Sequence, residues 1–217
     1  MPAAPPFERI YAAILALIGW AAIVVQCYWA IEIGVGNGLS LAMAITNVLS
    51  YFTILTNILV AACLTASVFQ IATISAGAKT ALASYILIVG FVYELALRRL
   101  WNPEGLHLVV DVVLHYLVPL GYFTYWLLFV NKSGLRYRMV TRWTIYPFLY
   151  LFYTLFRGQV YGFFPYPFLN FRETGWPRLF LNVCALILLF TAAGSLLVSF
   201  GRYLQRSGFA AYRSPKT

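Results

Sequence analysis

The stretch Leu108–Val130 decides the fold, and it reads LVVDVVLHYLVPLGYFTYWLLFV. It is apolar along nearly all of its length, and it is long enough to cross a bilayer as a helix, which takes about 20 residues. Two ionisable residues interrupt it, Asp111 and His115, one helical turn apart. Because an ionisable side chain in lipid is costly, such residues usually face a bundle interior or a water-filled cavity and serve a function. This pair is therefore the first candidate for chemistry.

The composition of the whole chain is that of a membrane protein. Of its 217 residues, 62% are hydrophobic and only 10% are charged, whereas a soluble domain carries about a quarter charged residues. We predict an all-α, polytopic membrane protein whose residues 1–217 form one domain of six transmembrane helices, with a short disordered arm at 1–6 and a basic tail at 204–217. The six predicted spans are Ile10–Ile31, Leu39–Phe69, Thr80–Leu97, Leu108–Val130, Trp143–Phe156 and Leu179–Phe200.

The basic residues predict the orientation. With six spans both termini lie on one side, which also carries the basic cluster in Lys132–Arg142 and the basic C-terminal tail. The positive-inside rule places that side in the cytoplasm. The net charge of +9 therefore indicates topology and contact with lipid headgroups. We predict a multi-pass protein of the cell membrane that binds no nucleic acid.

A polar stripe crosses the second run if Leu39–Phe69 forms one helix. Its members follow the spacing i, i+4, i+7 and i+11, which places them on one face: Thr46, Ser50, Thr53 and Asn57. Polar side chains in lipid turn towards other helices and commonly serve packing. The alternative is that one hydroxyl is a nucleophile. Thr53 is the most central candidate, and Thr46 and Thr56 are the others.

The fourth run carries the groups that could activate such a hydroxyl. Asp111, His115 and Pro119 share one face at i, i+4 and i+8. Pro119 cannot donate a backbone hydrogen bond to the carbonyl of His115, so we expect a kink and a spare acceptor there. A neutral imidazole can accept the proton of a hydroxyl while Asp111 orients its other nitrogen. The alternative is a buried His–Asp pair that only ties helices together.

Depth in the bilayer predicts which hydroxyl His115 reaches. At a rise of ~1.5 Å per residue, Thr53 lies roughly 21 Å along its helix from Leu39, and His115 lies roughly 18 Å from Pro103. The two depths agree. If the fourth helix begins at Leu108 instead, Thr46 is the better placed hydroxyl.

Five further residues are candidates for contacting a substrate: Ser50, Asn57, Glu94, Tyr153 and Arg157. Ser50 or Asn57 could stabilise an oxyanion. Glu94 pairs with Arg98 at i+4, which favours a structural ion pair over a catalytic acid. Tyr153 and Arg157 belong to a mostly aromatic stripe on the fifth span, and such stripes usually serve packing or anchor a span at the interface. Arg157, at the outer end, could also bind a carboxylate or phosphate headgroup. One Asp–His pair is too few ligands for a metal site, and we expect no metal and no cofactor.

Short motifs resemble those of the androgen-induced-gene family of six-helix membrane proteins, and more closely its bacterial branch. They are Tyr51-Phe52-Thr53, Leu114-His115 with Val118-Pro119, and Gly162 followed by Tyr166-Pro167-Phe168-Leu169. Animal members of that family hydrolyse fatty-acid esters of hydroxy fatty acids with one Thr and one His. The resemblance implies these roles for Thr53 and His115.

The chain also departs from the family pattern. Thr56-Asn57 stands where the family has an acidic residue one turn after its threonine, and Asp111 lies outside the matching motifs. Two functions follow as hypotheses. One is a threonine-type lipid-ester hydrolase whose partner is its membrane lipid substrate. The other is a non-catalytic protein that binds or transports a lipid or small solute, or serves as a scaffold.

Overall fold

The computed structural model describes residues 6–208, and these residues form helices and no strand. The helices are α1 (Pro6–Gly36), α2 (Leu41–Val48), α3 (Phe52–Phe69), α4 (Ala76–Val92), α5 (Gly105–Val112), α6 (Val118–Phe129), α7 (Arg138–Trp143), α8 (Ile145–Tyr161), α9 (Phe171–Thr174) and α10 (Trp176–Arg206). A π-helical turn, Tyr93–Leu97, and a 3-10 turn, Arg98–Leu100, extend α4. A second π-helical turn, Val113–Leu117, joins α5 to α6. The predicted arm and the end of the predicted tail, 1–5 and 209–217, lie outside the described residues.

Five helical segments are long and apolar enough to cross a membrane. They are Pro6–Gly36, Phe52–Phe69, Ala76–Leu100, Gly105–Phe129 and Trp176–Arg206. The prediction of an all-α chain is confirmed for the described residues, and these five helices are compatible with the predicted polytopic membrane protein. The fifth predicted span, Trp143–Phe156, overlaps α8, whose 17 residues measure about 25 Å along the axis. Only Thr144 separates α8 from α7.

The prediction that Leu39–Phe69 is one helix is wrong. The chain leaves the helical conformation between Val48 and Phe52, where Tyr51 is extended with φ −81° and ψ 126°. As a result, Thr46 lies on α2 and Thr53 lies on α3, so the predicted single polar stripe does not exist. Hydrogen bonds from other parts of the chain replace the lost helical ones at this break, and sequence periodicity carries no signal of them.

The irregularity predicted at His115 is present as the π-helical turn before Pro119. Prolines and single π-helical turns are both common where a helix departs from regular geometry. The carbonyl oxygen of His115 faces Gly90 of α4, where a Cβ atom would lie 2.7 Å from it and 3.6 Å from Cβ of Pro119. The lack of a side chain at Gly90 is therefore what lets α4 approach the turn so closely.

The opposite end of the bundle is held by a buried polar cluster around Tyr125. Its hydroxyl lies 2.9 Å from Nζ of Lys79, 2.9 Å from a carboxylate oxygen of Glu8 and 3.2 Å from the hydroxyl of Ser67. These contacts join α1, α3, α4 and α6. At the same end, Lys132 is buried and donates to three backbone carbonyls at the end of α6. Lys132 thus caps a helix rather than contacting headgroups.

We expect Gly90→Ala to lower the stability of the bundle. The added methyl overlaps the carbonyl of His115, and overpacking of this kind costs about 1–3 kcal/mol. The matched control is Gly36→Ala, because a Cβ at that helical position meets nothing within 4 Å. Thermal unfolding in detergent should show a lower apparent melting temperature for the first variant alone. Equal melting temperatures would refute the close contact.

Candidate functional site

Two cavities meet at Thr53 and Tyr166. One has a volume of about 490 Å³, and its wall includes Asp111 and His115 together with Thr53 and Tyr166. The other has a volume of about 340 Å³ and is lined mainly by apolar side chains of α4, α8 and α10, such as Ile88, Phe148 and Leu186. Thr53 and Tyr166 also line this second cavity. We call the first the polar cavity and the second the apolar cavity.

The polar cavity lies at the end of the bundle where α1 ends and where α3 and α5 begin. Its wall combines aromatic and polar side chains, which include Gln26, Trp29, Asn47, Tyr51, Tyr93, Trp101, His107 and Phe163. Asp111 is the one formally charged residue among its lining residues. His107 is stacked on Trp29, with ring centroids 3.8 Å apart. Among these aromatic residues, only Tyr51 belongs to a motif that carries the family resemblance.

His115 is held in one orientation from two directions. Its Nδ1 lies 3.0 Å from the backbone oxygen of Asp111 and 3.1 Å from Oδ1 of the same residue. Oδ1 itself is out of line for a hydrogen bond, so the backbone oxygen is the better acceptor. The ring stacks on Tyr93 at 3.8 Å, and the Tyr93 hydroxyl donates to Oδ2 of Asp111. With its Nδ1–H directed at Asp111, the neutral ring keeps Nε2 as an acceptor.

Asp111 lies beside Nδ1 of His115, and Tyr93 extends this pair to a group of three side chains. The carboxylate is only 2% exposed, and Tyr93, from the π-helical turn after α4, donates to its Oδ2. Tyr93 carried no signal in the sequence beyond being one of many aromatic residues. It meets Asp111 only because α4 packs beside α6 and the π-helical turn that holds His115.

Thr53 lies in the first turn of α3, at the break. Its backbone N–H donates to the hydroxyl oxygen of Tyr166 at 3.2 Å, and its own Oγ1 lies 3.4 Å from that oxygen. The N–H of Phe52 donates in the same way to the hydroxyl of Tyr150 at 3.2 Å. The first N–H groups of a helix have no partner within it, so two tyrosines fill that need here. Thr53 is 8% exposed.

Tyr166 belongs to the connection between α8 and α9 and reaches into the bundle. Its ring stacks on Phe168 at 5.3 Å and meets Tyr51 edge-on at 5.9 Å. Burial raises the pKa of Tyr166 to about 12, so its hydroxyl keeps its proton at neutral pH. The sequence did contain a signal for this residue, since Tyr166 opens one of the motifs that carry the family resemblance.

Asn57 connects the two halves of the site. Its side-chain Nδ2 donates to the carbonyl of Thr53 at 2.9 Å and to the carbonyl of Leu114 at 3.3 Å. Leu114 precedes His115, so one amide group links the backbone of α3 to the π-helical turn. Because both donors of the amide are used in this link, Asn57 positions the site rather than presenting a donor to a ligand.

Arg157, Ser50 and Tyr153 hold the end of α2. Arg157 is 4% exposed and donates to the carbonyl of Thr46 at 3.1 Å, to the side-chain oxygen of Asn47 at 2.6 Å and to the Ser50 hydroxyl. The Tyr153 hydroxyl lies 2.8 Å from Oγ of Ser50. The last carbonyls of a helix carry partial negative charge, and a cation placed there is stabilising.

The predicted substrate-binding residues thus lie outside both cavities. Neither wall includes Ser50, Asn57, Glu94, Tyr153 or Arg157. Glu94 is exposed and pairs with Arg98 at 3.1 Å, as the structural alternative predicted, and the hydroxyl of Tyr116 also donates to it. Within residues 6–208 no group of three or more His, Cys, Asp or Glu side chains could hold a metal ion.

Comparison with known proteins identifies no family for this chain. No family model, no curated protein and no solved structure matches it. The resemblance to the androgen-induced-gene family therefore consists only of the short motifs quoted above.

We expect Arg157→Ala to destabilise the break between α2 and α3. The change removes the donor to the Asn47 side-chain oxygen and one donor each to the Thr46 carbonyl and the Ser50 hydroxyl. A buried acceptor that loses its donor costs about 1–3 kcal/mol. The apparent melting temperature in detergent should fall by about 5 °C or more. The control is Arg98→Ala, which removes an exposed arginine and should change the melting temperature little. A small effect at both positions would contradict the capping role.

Proposed function

We propose that the chain is an intramembrane hydrolase of fatty-acid esters, with Thr53 as nucleophile and His115 as general base and acid. One observation carries the proposal: Thr53 lies where the polar cavity, with His115 and Asp111 in its wall, meets the apolar cavity. A lipid ester needs both environments, one for the acyl chain and one for the proton transfers at its carbonyl. The family resemblance, which rests on the same two residues, supports the assignment.

The apolar cavity fits the acyl chain. Its volume of about 340 Å³ falls within the range of small-molecule pockets, roughly 300–1,000 Å³. Side chains of α4, α8 and α10 form most of its wall, and Phe148 at its edge is 50% exposed on the outer surface of α8. A lipid chain would enter sideways between these helices, while its carbonyl reaches Thr53.

The reaction would proceed in two balanced steps. Oγ1 of Thr53 bonds to the ester carbonyl carbon as its proton passes to Nε2 of His115, and an electron pair moves onto the carbonyl oxygen. When that pair returns, the bond to the alcohol breaks and the leaving oxygen takes the proton from His115. Water then attacks acyl-Thr53 in the same way, which releases a fatty acid and returns the proton to Thr53. Asp111 orients His115 throughout.

The alternative is a non-catalytic membrane protein that binds or transports a lipid or small solute, or serves as a scaffold. The observation that favours it is the structural use of so many polar residues, since Asn57, Ser50 and Arg157 all join helices. It differs from the hydrolase in one testable respect, because it requires no activated hydroxyl at Thr53.

We propose six spans, with α8 forming the fifth, and both termini in the cytoplasm of a bacterial cell. Supporting this, the basic residues concentrate on the side of the loop after α6, and positive charge favours the cytoplasmic side. Ser133 in this loop and Glu173 in α9 are both exposed.

Single cysteines at these two positions test the orientation, in a chain whose Cys27, Cys63 and Cys184 are replaced. On right-side-out spheroplasts, a membrane-impermeant maleimide should label Glu173→Cys and leave Ser133→Cys unlabelled until the cells are lysed. The reverse pattern would overturn the orientation, and labelling of both on intact spheroplasts would overturn the six-span arrangement.

Labelling with a fluorophosphonate tests the hydrolase. The reagent bonds to an activated hydroxyl with loss of fluoride, so we expect wild-type protein to be labelled and Thr53→Ala and His115→Ala to lose the label. Thr56→Ala is the matched control, because Thr56 is a buried threonine one turn away on α3, whose hydroxyl lies 3.4 Å from Tyr146. An unlabelled wild type would favour the non-catalytic alternative, and a label that survives in Thr53→Ala would exclude Thr53 as nucleophile.

A further inference from the structure

We propose that the hydroxyl of Tyr166 is the oxyanion donor of this site, which rests on the proposed function and adds a catalytic residue to it. Thr53 and Tyr166 both line the two cavities, and the Tyr166 oxygen lies 3.4 Å from Oγ1 of Thr53. When Oγ1 bonds to an ester carbonyl carbon, the carbonyl oxygen lies two bonds from Oγ1. That oxygen therefore develops its charge within reach of the tyrosine.

The donors that the sequence suggested for this role are already in use. The side-chain Nδ2 of Asn57 donates to the carbonyls of Thr53 and Leu114. Ser50 donates its hydroxyl proton to the carbonyl of Thr46 at 2.6 Å and accepts from Arg157. Neither residue lines a cavity, so neither can reach a bound ester without a rearrangement of the break.

Tyr150 is excluded by the same reasoning. Its hydroxyl accepts from the N–H of Phe52 and donates its own proton to the carbonyl of Ser50 at 2.8 Å. Its hydrogen bonding is therefore complete within the protein. Tyr150 and Tyr166 each accept from one backbone N–H at the start of α3. They differ in that only Tyr150 donates its hydroxyl proton to a backbone carbonyl.

The proton of Tyr166 remains available. Its oxygen accepts from the N–H of Thr53, and its other hydrogen-bonding neighbour is Oγ1 of Thr53, at the long distance of 3.4 Å. Either hydroxyl can donate in this contact, and with Tyr166 as the donor the threonine's own proton is free to pass to His115. After Oγ1 has bonded to carbon, the tyrosine donates to the new oxyanion and keeps its proton.

The position at a helix start strengthens the donor. The N-terminus of a helix carries partial positive charge, and the N–H of Thr53 donates directly to the tyrosine oxygen. A hydroxyl that accepts such a bond is a better donor, because hydrogen bonds in a chain polarise one another. A donor fixed before the reaction begins is the arrangement that stabilises an oxyanion most effectively.

Tyr166→Phe is the decisive variant, with Tyr150→Phe as its matched control. Both keep the aromatic ring and both remove one cap from the start of α3, but only the first removes a free hydroxyl proton. The readouts are the rate of fluorophosphonate labelling and the hydrolysis of p-nitrophenyl octanoate by the full chain in detergent. The apparent melting temperature of each variant is measured alongside.

We expect Tyr166→Phe to lower kcat and the labelling rate by about 100- to 1000-fold, as loss of an oxyanion donor does in other enzymes, with KM little changed. Tyr150→Phe should lose less than tenfold at a similar melting temperature. Equal losses of kcat and labelling rate in the two variants would show that Tyr166 only caps α3, and this result would overturn the proposal. A Tyr166→Phe protein that reacts at the wild-type rate, through Thr53, would overturn it while the hydrolase stands, whereas an inert wild type would overturn both.

Discussion

The backbone of the break between α2 and α3 imposes the constraint on which the site depends. Inside a membrane protein every free N–H and C=O group needs a partner from the protein, because lipid supplies none. Tyr150 and Tyr166 accept from the first N–H groups of α3, and Arg157 donates to the Thr46 carbonyl at the end of α2. Side chains from α8 and the connection after it thus make it possible for the helix to stop and restart at Thr53.

A second irregularity faces the first. The π-helical turn Val113–Leu117 precedes Pro119, and its His115 carbonyl is accommodated by the missing side chain of Gly90. Asn57 joins this turn to α3 through the carbonyls of Leu114 and Thr53. Two interrupted helices are in this way fixed relative to each other, and the cavity between them exposes a hydroxyl and an imidazole to the same space.

The structure divides the polar residues of the membrane segments into two groups. Asn57 donates to two backbone carbonyls, and Arg157 and Ser50 bond to each other and to the end of α2, so these residues position the helices. Thr53 and His115 line the same cavity and are held there by Tyr166, Tyr93 and Asp111. Residue type did not distinguish the two groups, since a threonine, a serine and an asparagine shared the same predicted stripe. The distinction depends on which side chains lie opposite each residue.

The amino-acid sequence alone determined the class of the protein and where its chemistry is to be sought. Apolar runs of sufficient length require helices that are shielded from water, and Asp111 and His115 stand out because ionisable groups are rare in such runs. Only the tertiary structure decided that Leu39–Phe69 is broken, that Tyr93 and Tyr166 belong to the site, and that Arg157 holds a helix end. Hydropathy and periodicity report the environment of a residue, whereas these outcomes depend on hydrogen bonds between residues that are far apart in the chain.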